Sequence, residues 1–247
     1  MSDFHNVPVT IIGASRGLGR VLAQNFHAQG AKVLAVARGR AGLDALAREL
    51  PGVSVFACDA ASPDAPEQVF AVQIPRILIL CGGAVPRCVP MTELDWNAFS
   101  IEWNTDTRMS FNFLQAALKQ PLPNGTTVIT ITSGAMINGS PISGGYAGAK
   151  KMQQFLSGYA QREAGRAGLD LRFLTLAPGR VIEGTDAGTA AINGYAAYNG
   201  TTVAGFIADM GPKLTLQYVS DTLFGLVKDA APGGNFVVFP DGVKALT

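Results

Sequence analysis

Along the chain, short runs of β-branched and aliphatic residues alternate with longer stretches whose apolar positions recur every three or four residues. The first kind reads as strand and the second as helix with one face toward a core. Residues 7–12 (VPVTII) open the series as a strand, and residues 18–29 follow as a helix stopped by Gly30. Further strands are predicted at 32–37, 53–58, 77–80, 126–132, 171–176 and 235–239, and further helices at 41–50, 63–72, 95–119, 146–164 and 219–228. Ile77-Leu78-Ile79-Leu80 is apolar at every position, as a strand covered on both faces must be. The stretch 95–119 is expected to break near Asn104. Alternation at this spacing predicts parallel strands joined by right-handed crossovers. The expected fold is a doubly wound three-layer α/β/α sandwich with a seven-stranded, mainly parallel sheet. No repeat or low-complexity linker interrupts it, so residues 1–247 are expected to form a single domain. Residues 180–213 show no clear strand and are rich in Gly, Ala and Thr; they read as a partly helical lid over a binding site.

The turn between the first strand and the first helix is GASRGLG, residues 13–19. Gly13, Gly17 and Gly19 lack Cβ atoms, so the chain can turn tightly and the helix can approach the sheet. The free amides and dipole of the helix N-terminus then suit a pyrophosphate, which makes the fold Rossmann-type. Ser15, Arg16 and Leu18 complete the candidate loop. About 20 residues further on, an acidic residue at the end of the second strand would bind a ribose 2′-hydroxyl. Ala37 and Arg38 stand there instead. Arg16 and Arg38 could both reach a 2′-phosphate, for which guanidinium is well shaped. The expected cofactor is therefore NADP(H).

A second constellation lies further along. Tyr146 and Lys150 are four apart at a helix start, about 6 Å along the axis. A free phenol titrates near 10, too high for proton exchange at neutral pH, and a cation within about 4–6 Å favours its ionised form. Ala147, Gly148 and Ala149 between them are expected to leave room for a cofactor to lie against the helix. Ser133 falls at the end of the fifth strand, where its hydroxyl can donate to an oxygen as charge develops. Asn104 is expected to break its helix and free a carbonyl to hold a water that resupplies the proton.

Together these residues resemble the short-chain dehydrogenases/reductases over nearly the whole chain. The resemblance makes Asn104, Ser133, Tyr146 and Lys150 a catalytic tetrad, places Asp59 and Ala60 at the adenine, and puts Pro178, Gly179 and Val181 beside the nicotinamide. Gly82 and Gly83 would let backbone approach the cofactor. Ile12 replaces the usual threonine before the first glycine, Leu80-Cys81-Gly82-Gly83 replaces Asn-Asn-Ala-Gly, and Glu183 occupies a usual threonine position, with Thr185 two further on. The implied reaction is hydride transfer between NADP(H) and a ketone or aldehyde and its alcohol. The implied assembly is a homodimer or homotetramer built on the helices of Asn104–Lys119 and Tyr146–Ala164.

Composition narrows the partners. The formal net charge is +1 with no basic run, so nucleic acid is not expected. No apolar stretch has the length of a membrane span, and MSDFHNVP is too polar for a signal peptide. Cys58, Cys81 and Cys88 have no metal or redox spacing, which suggests reduced thiols in the cytoplasm and no metal site. Met136, Ile142, the loop AVPRCVP, Tyr195, Tyr198, Phe206 and Met210 are expected to wall a mainly apolar substrate pocket, with Arg87 at its edge. Two other functions fit the scaffold: a regulatory protein that binds NADP(H) without chemistry, and a non-redox lyase or dehalogenase.

Overall fold

The computed structural model describes residues 4–120, 122–228 and 233–246. One eight-stranded sheet runs through it in the order β3-β2-β1-β4-β5-β6-β7-β8. Its strands are β1 (Pro8–Ile12), β2 (Lys32–Ala37), β3 (Ser54–Ala57), β4 (Ile77–Leu80), β5 (Thr126–Ile131), β6 (Leu171–Pro178), β7 (Gly234–Phe239) and β8 (Gly242–Leu246). All neighbours are parallel except β7 and β8.

The eighth strand corrects the expected seven. It turns back from β7 through Pro240-Asp241, with Phe239 paired to Gly242, and its central residues are exposed. An edge strand open to solvent has no apolar run to announce it. Pro-Asp-Gly was the available signal, as a turn signature.

Side-chain alternation splits the core in two. Val9, Ile11, Ile77, Ile79, Ile129, Leu174 and Leu176 face one layer, which holds α1 (Gly17–Ala28), α2 (Arg40–Glu49) and α10 (Leu216–Lys228). There Phe26 stacks on Phe224 at 4.3 Å. Ile12, Leu78, Leu80, Val128 and Phe173 face the other layer, with α3 (Ala65–Val72), α5 (Arg108–Lys119) and α7 (Tyr146–Arg166). Period-two alternation therefore assigns each strand residue to one core or the other.

The strand order reverses between β1 and β4, and the loops after both strands meet at that point. A Cβ on Gly13 would stand 2.6 Å from Gly82 Cα. Gly13 also has φ of +89°, where L side chains are strained. The crevice outside the carboxyl ends of the strands at such a reversal is where ligands sit in open α/β sheets.

The stretch 95–119 is three pieces: α4 (Trp96–Glu102), a π-helical turn (Trp103–Thr107) and α5. Asp95 caps α4, its Oδ1 accepting from Ala98 N–H at 2.7 Å. The break does fall at Asn104, as a π turn that inserts extra rotation without ending the helix. The lid contains two helices, α8 (Asp186–Tyr198) and α9 (Val203–Asp209), separated by Asn199–Thr202. Thr185 caps α8, its Oγ1 accepting from Gly188 N–H at 2.9 Å, so the displaced threonine has a structural role here. No described helix is long and apolar enough to cross a membrane.

Candidate active site

A cleft of about 910 Å³ runs along the carboxyl ends of β1, β2, β4, β5 and β6. Its floor is the glycine loop, with Gly13, Ser15, Arg16, Gly17, Leu18 and Gly19 on its wall. A Cβ on Gly19 would lie 2.2 Å from Gly13 O, so only glycine lets α1 start this close to the turn. The first-turn amides of α1 have no partner within the helix, and Gly17, Leu18 and Gly19 stand on this wall of the cleft. Arg38, Asp59 and Ala60 wall the outer end. Asp59 Oδ1 accepts from Ala61 N–H at 3.1 Å, which shapes that corner.

The two arginines differ. Arg16 reaches across the cleft to Asp186 on α8, with Nη1 2.5 Å from Oδ2. That exposed ion pair links the glycine loop to the lid. Arg38 is exposed and has no ion pair among the described residues. Arg38 is therefore the freer of the two to meet a phosphate. A second pair, Lys213 to Glu183 at 2.8 Å, ties the far end of the lid.

At the inner end the ends of β5 and β6 come together. Gly134 N–H donates to Pro178 O at 2.8 Å. A Cβ on Gly134 would meet Gly179 Cα at 2.9 Å, and one on Gly179 would meet the Phe239 ring at 2.5 Å. Ser133, Pro178, Gly179 and Val181 thus reach the cleft wall through glycine contacts. Ser133 Oγ accepts from Ala135 N–H at 3.2 Å, which leaves its own hydrogen free to donate into the cleft.

Tyr146 and Lys150 face the same cleft, with Lys150 Nζ 5.5 Å from the phenol ring centroid. Lys150 is buried, and its ammonium lies 2.9 Å from Asp106 Oδ2. Burial works against the charged amine, but the Asp106 carboxylate, with Tyr146 and Cys81, outweighs it and holds the Lys150 pKa above its ordinary value. Burial pushes the Cys81 thiol up to about 12, so it stays protonated. Among the described residues no cluster of His, Cys, Asp or Glu could hold a metal ion.

The Asn104 side chain stands outside the cleft, exposed, with its amide donating to Ser100 Oγ at 3.4 Å; the role expected of this residue belongs to a backbone carbonyl at the helix break. One expectation about this region changes: Ala147, Gly148 and Ala149 do not line the cleft. A Cβ on Gly148 would meet the Trp103 ring at 3.3 Å, and Gly145 lies so close to Phe99 O that a Cβ would fall at 1.8 Å. The small residues around Tyr146 admit α4 and the π turn, not a ligand.

The residues that sequence reasoning missed are Asp106, Glu102 and Gln153. Asp106 lines the cleft beside Lys150. Gln153 Nε2 donates to Asp106 O at 3.1 Å and Ser110 Oγ at 2.7 Å from the buried side of α7. Glu102 is 2% exposed, and its Oε2 has no hydrogen-bond partner. Burial foremost, opposed by its own backbone hydrogen bond and reinforced by Asp106, pushes the Glu102 carboxyl up to about 6. An acid held above its ordinary 4.5 binds extra proton in the folded state, so stability falls as pH rises from about 4.5 through about 6. The loss above that window is about 2 kcal/mol. Glu102→Gln should therefore raise the urea midpoint at about pH 7–8 and flatten its pH dependence between about 4.5 and about 6, measured against wild type.

The substrate end is walled by Val85, Pro86, Cys88, Ser140, Ile142, Ser143, Ala191 and Tyr195. These walls are mainly apolar, as expected, with the Ser140 and Ser143 hydroxyls 2.9 Å apart among them. Met136 is buried under Ala177 and Val237, away from the pocket. Phe206 and Met210 line an adjoining cavity of about 490 Å³ that shares Arg180 and Val181 with the cleft. Tyr195 stacks on Phe206 at 5.5 Å, between the two spaces. Arg87 and Tyr198 are exposed and line neither.

Comparison with known proteins accords with this geometry. The family model described as short chain dehydrogenase matches residues 8–193. The L-xylulose reductase of Bos taurus is 30% identical over 131 residues, covering 52% of this chain and 54% of that protein. The chain thus matches about half the length of such curated relatives. Among solved structures, NAD+-bound xylitol dehydrogenase aligns with a TM-score of 0.83 at 16% identity, covering 96% of this chain and 98% of that one. A putative short chain dehydrogenase of Shigella flexneri 2a str. 301, complexed with NADP, aligns with a TM-score of 0.68 at 20% identity over 77% of this chain and 84% of that one.

Proposed function

Because the chain belongs to the short-chain dehydrogenase family, we propose that it is an oxidoreductase moving a hydride between NADP(H) and a carbonyl/alcohol pair. The observation that carries this is convergence: Ser133, Tyr146 and Lys150 meet in the cleft that the glycine loop floors. A nicotinamide dinucleotide bound there would supply or accept the hydride. The chain's own residues do the rest. Tyr146 gives a proton to the substrate oxygen in reduction and takes it in oxidation. Lys150 places a positive charge beside the phenol, which stabilises negative charge as it develops there. Ser133 donates to the same substrate oxygen. Gly13, Gly17 and Gly19 would hold the pyrophosphate, and Pro178, Gly179 and Val181 would support the nicotinamide.

NADP(H) is favoured over NAD(H) by Arg38 at the end of β2, where a carboxylate would read the 2′-hydroxyl. The relatives do not point one way, since one structural neighbour holds NAD+ and another NADP. Arg38→Asp should lower kcat/KM for NADPH relative to NADH by about 100-fold, an estimate from the loss of charge-assisted phosphate contacts. Steady-state kinetics with both cofactors would read this, and an unchanged ratio would remove Arg38 as the reader. The function itself is tested by following NADPH oxidation with a broad ketone and aldehyde panel. Tight NADPH binding without turnover across the panel would favour a sensing role instead. Exposed Phe111, Phe155 and Tyr159 on α5 and α7 support a homo-oligomer through those helices. NADPH loss without a carbonyl substrate would instead point to other chemistry.

A further inference from the structure

Asp106 joins three parts of the site that the sequence leaves unconnected. Its carboxylate is fully buried and lies 2.9 Å from Lys150 Nζ. Its Oδ1 accepts from Ala84 N–H and from Thr105 Oγ1, each at 2.8 Å. Its backbone carbonyl accepts from Gln153 on α7. The loop after β4 is shaped around it, since a Cβ on Gly83 would stand 2.6 Å from Asp106 Oδ2. The Asp106 carboxylate holds the backbone of that loop through Ala84 N–H. Residues 104 and 106 are about 200° apart around the helix axis, so Asp106 is buried while Asn104 stands in solvent.

We propose that Asp106 is a positioning residue for hydride transfer, holding the Lys150 ammonium charged and aimed along the cleft while tethering the Gly82–Ala84 loop. This rests on the reading of Tyr146 as proton donor. Stability alone is a poor reason for the pair, since burying two charges can cost as much as their attraction returns. The ammonium has three N–H donors, so Asp106 leaves two for the phenol side and the cleft. The groups facing Lys150 are Tyr146 on its own helix, Asp106 on the π turn, Glu102 on α4 and Cys81 after β4. Of these, Asp106 alone both contacts the amine and reaches the cleft loop.

Asp106→Asn keeps an oxygen for Ala84 N–H and removes the charge. We expect kcat to fall about 30-fold with KM little changed, below the full range of about 10²–10⁴ for a direct proton donor. The alkaline limb of the kcat–pH profile should move to lower pH, because burial then acts on Lys150 without its main opposing charge and the amine loses its proton earlier. In a Lys150→Met background the same change should alter kcat less than about threefold, the mark of coupled residues. A thermal arm needs no turnover: Asp106→Asn should lower Tm, and adding Lys150→Met should raise it again by removing the uncompensated buried ammonium. An unchanged pH profile, multiplicative kcat losses, or a double variant less stable than Asp106→Asn would each overturn the proposal. Full turnover in Tyr146→Phe would sink the underlying reading, and the thermal arm would still judge the Asp106–Lys150 pair.

Discussion

Tyr146→Phe should abolish carbonyl reduction, lowering kcat by about 10³-fold or more, while dinucleotide affinity changes less than about threefold. The phenol lies in the cleft with its ring 5.5 Å from the Lys150 ammonium, and Ser133 lines the same cleft. Phenylalanine keeps the ring and its 5.5 Å relation to Lys150, so α7 should stay in place. Only the proton and the oxygen are lost. Stopped-flow reduction with NADPH and an active ketone, paired with calorimetric titration of NADPH, separates the two quantities. Retained turnover would remove Tyr146 from the chemistry and the oxidoreductase mechanism with it. A parallel loss of NADPH affinity would show the hydroxyl to be a cofactor contact first.

Gly13→Ala should have the second-largest effect, on both fold and binding. Its φ of +89° costs an L side chain about 1–2 kcal/mol. The added Cβ would meet Gly82 N and Cα at 2.6 Å, and backbone cannot step aside as a flexible side chain can. Overpacking of this kind costs about 1–3 kcal/mol. We expect a destabilisation of about 3 kcal/mol in urea unfolding and at least a tenfold loss of NADPH affinity, because the loops after β1 and β4 must part. Gly42→Ala offers a contrast on the same cleft: its Cβ would meet Ser15 Cβ at 2.9 Å, without a positive φ. A Gly13 variant of unchanged stability and affinity would mean that the two loops do not depend on their contact.

Several features were legible because they are local or periodic. The strand at Ile77–Leu80 follows from apolar residues at every position, and both of its faces are covered. The turn at Gly13–Gly19 follows from the glycines themselves, and the helix from Tyr146 from its spacing of small and polar residues. Other features had no local mark. β8 is an exposed edge strand, held by its hydrogen bonds to β7 more than by apolar burial. The lid helices are rich in Gly, Ala and Thr, so their composition reads as loop, whereas threonine caps, buried Ile192 and Ala196, and the Tyr195–Phe206 stack support them as helices. The small residues after Tyr146 were visible, but what they admitted was not: a glycine shows that something comes close, not what.

The amino-acid order by itself determined the alternating layers, the cofactor turn and the Tyr146–Lys150 spacing, because each depends on residues within a few positions of one another. Tertiary structure alone decided which polar group stands behind the lysine. The turn at Trp103–Thr107 packs on α7, where Gln153 donates to Asp106 O and Gly148 makes room for Trp103, contacts that WNTDT by itself does not announce. The same holds for Arg16: its place in the glycine loop is a matter of sequence, but its ion pair with Asp186 exists only because the lid folds back across the cleft.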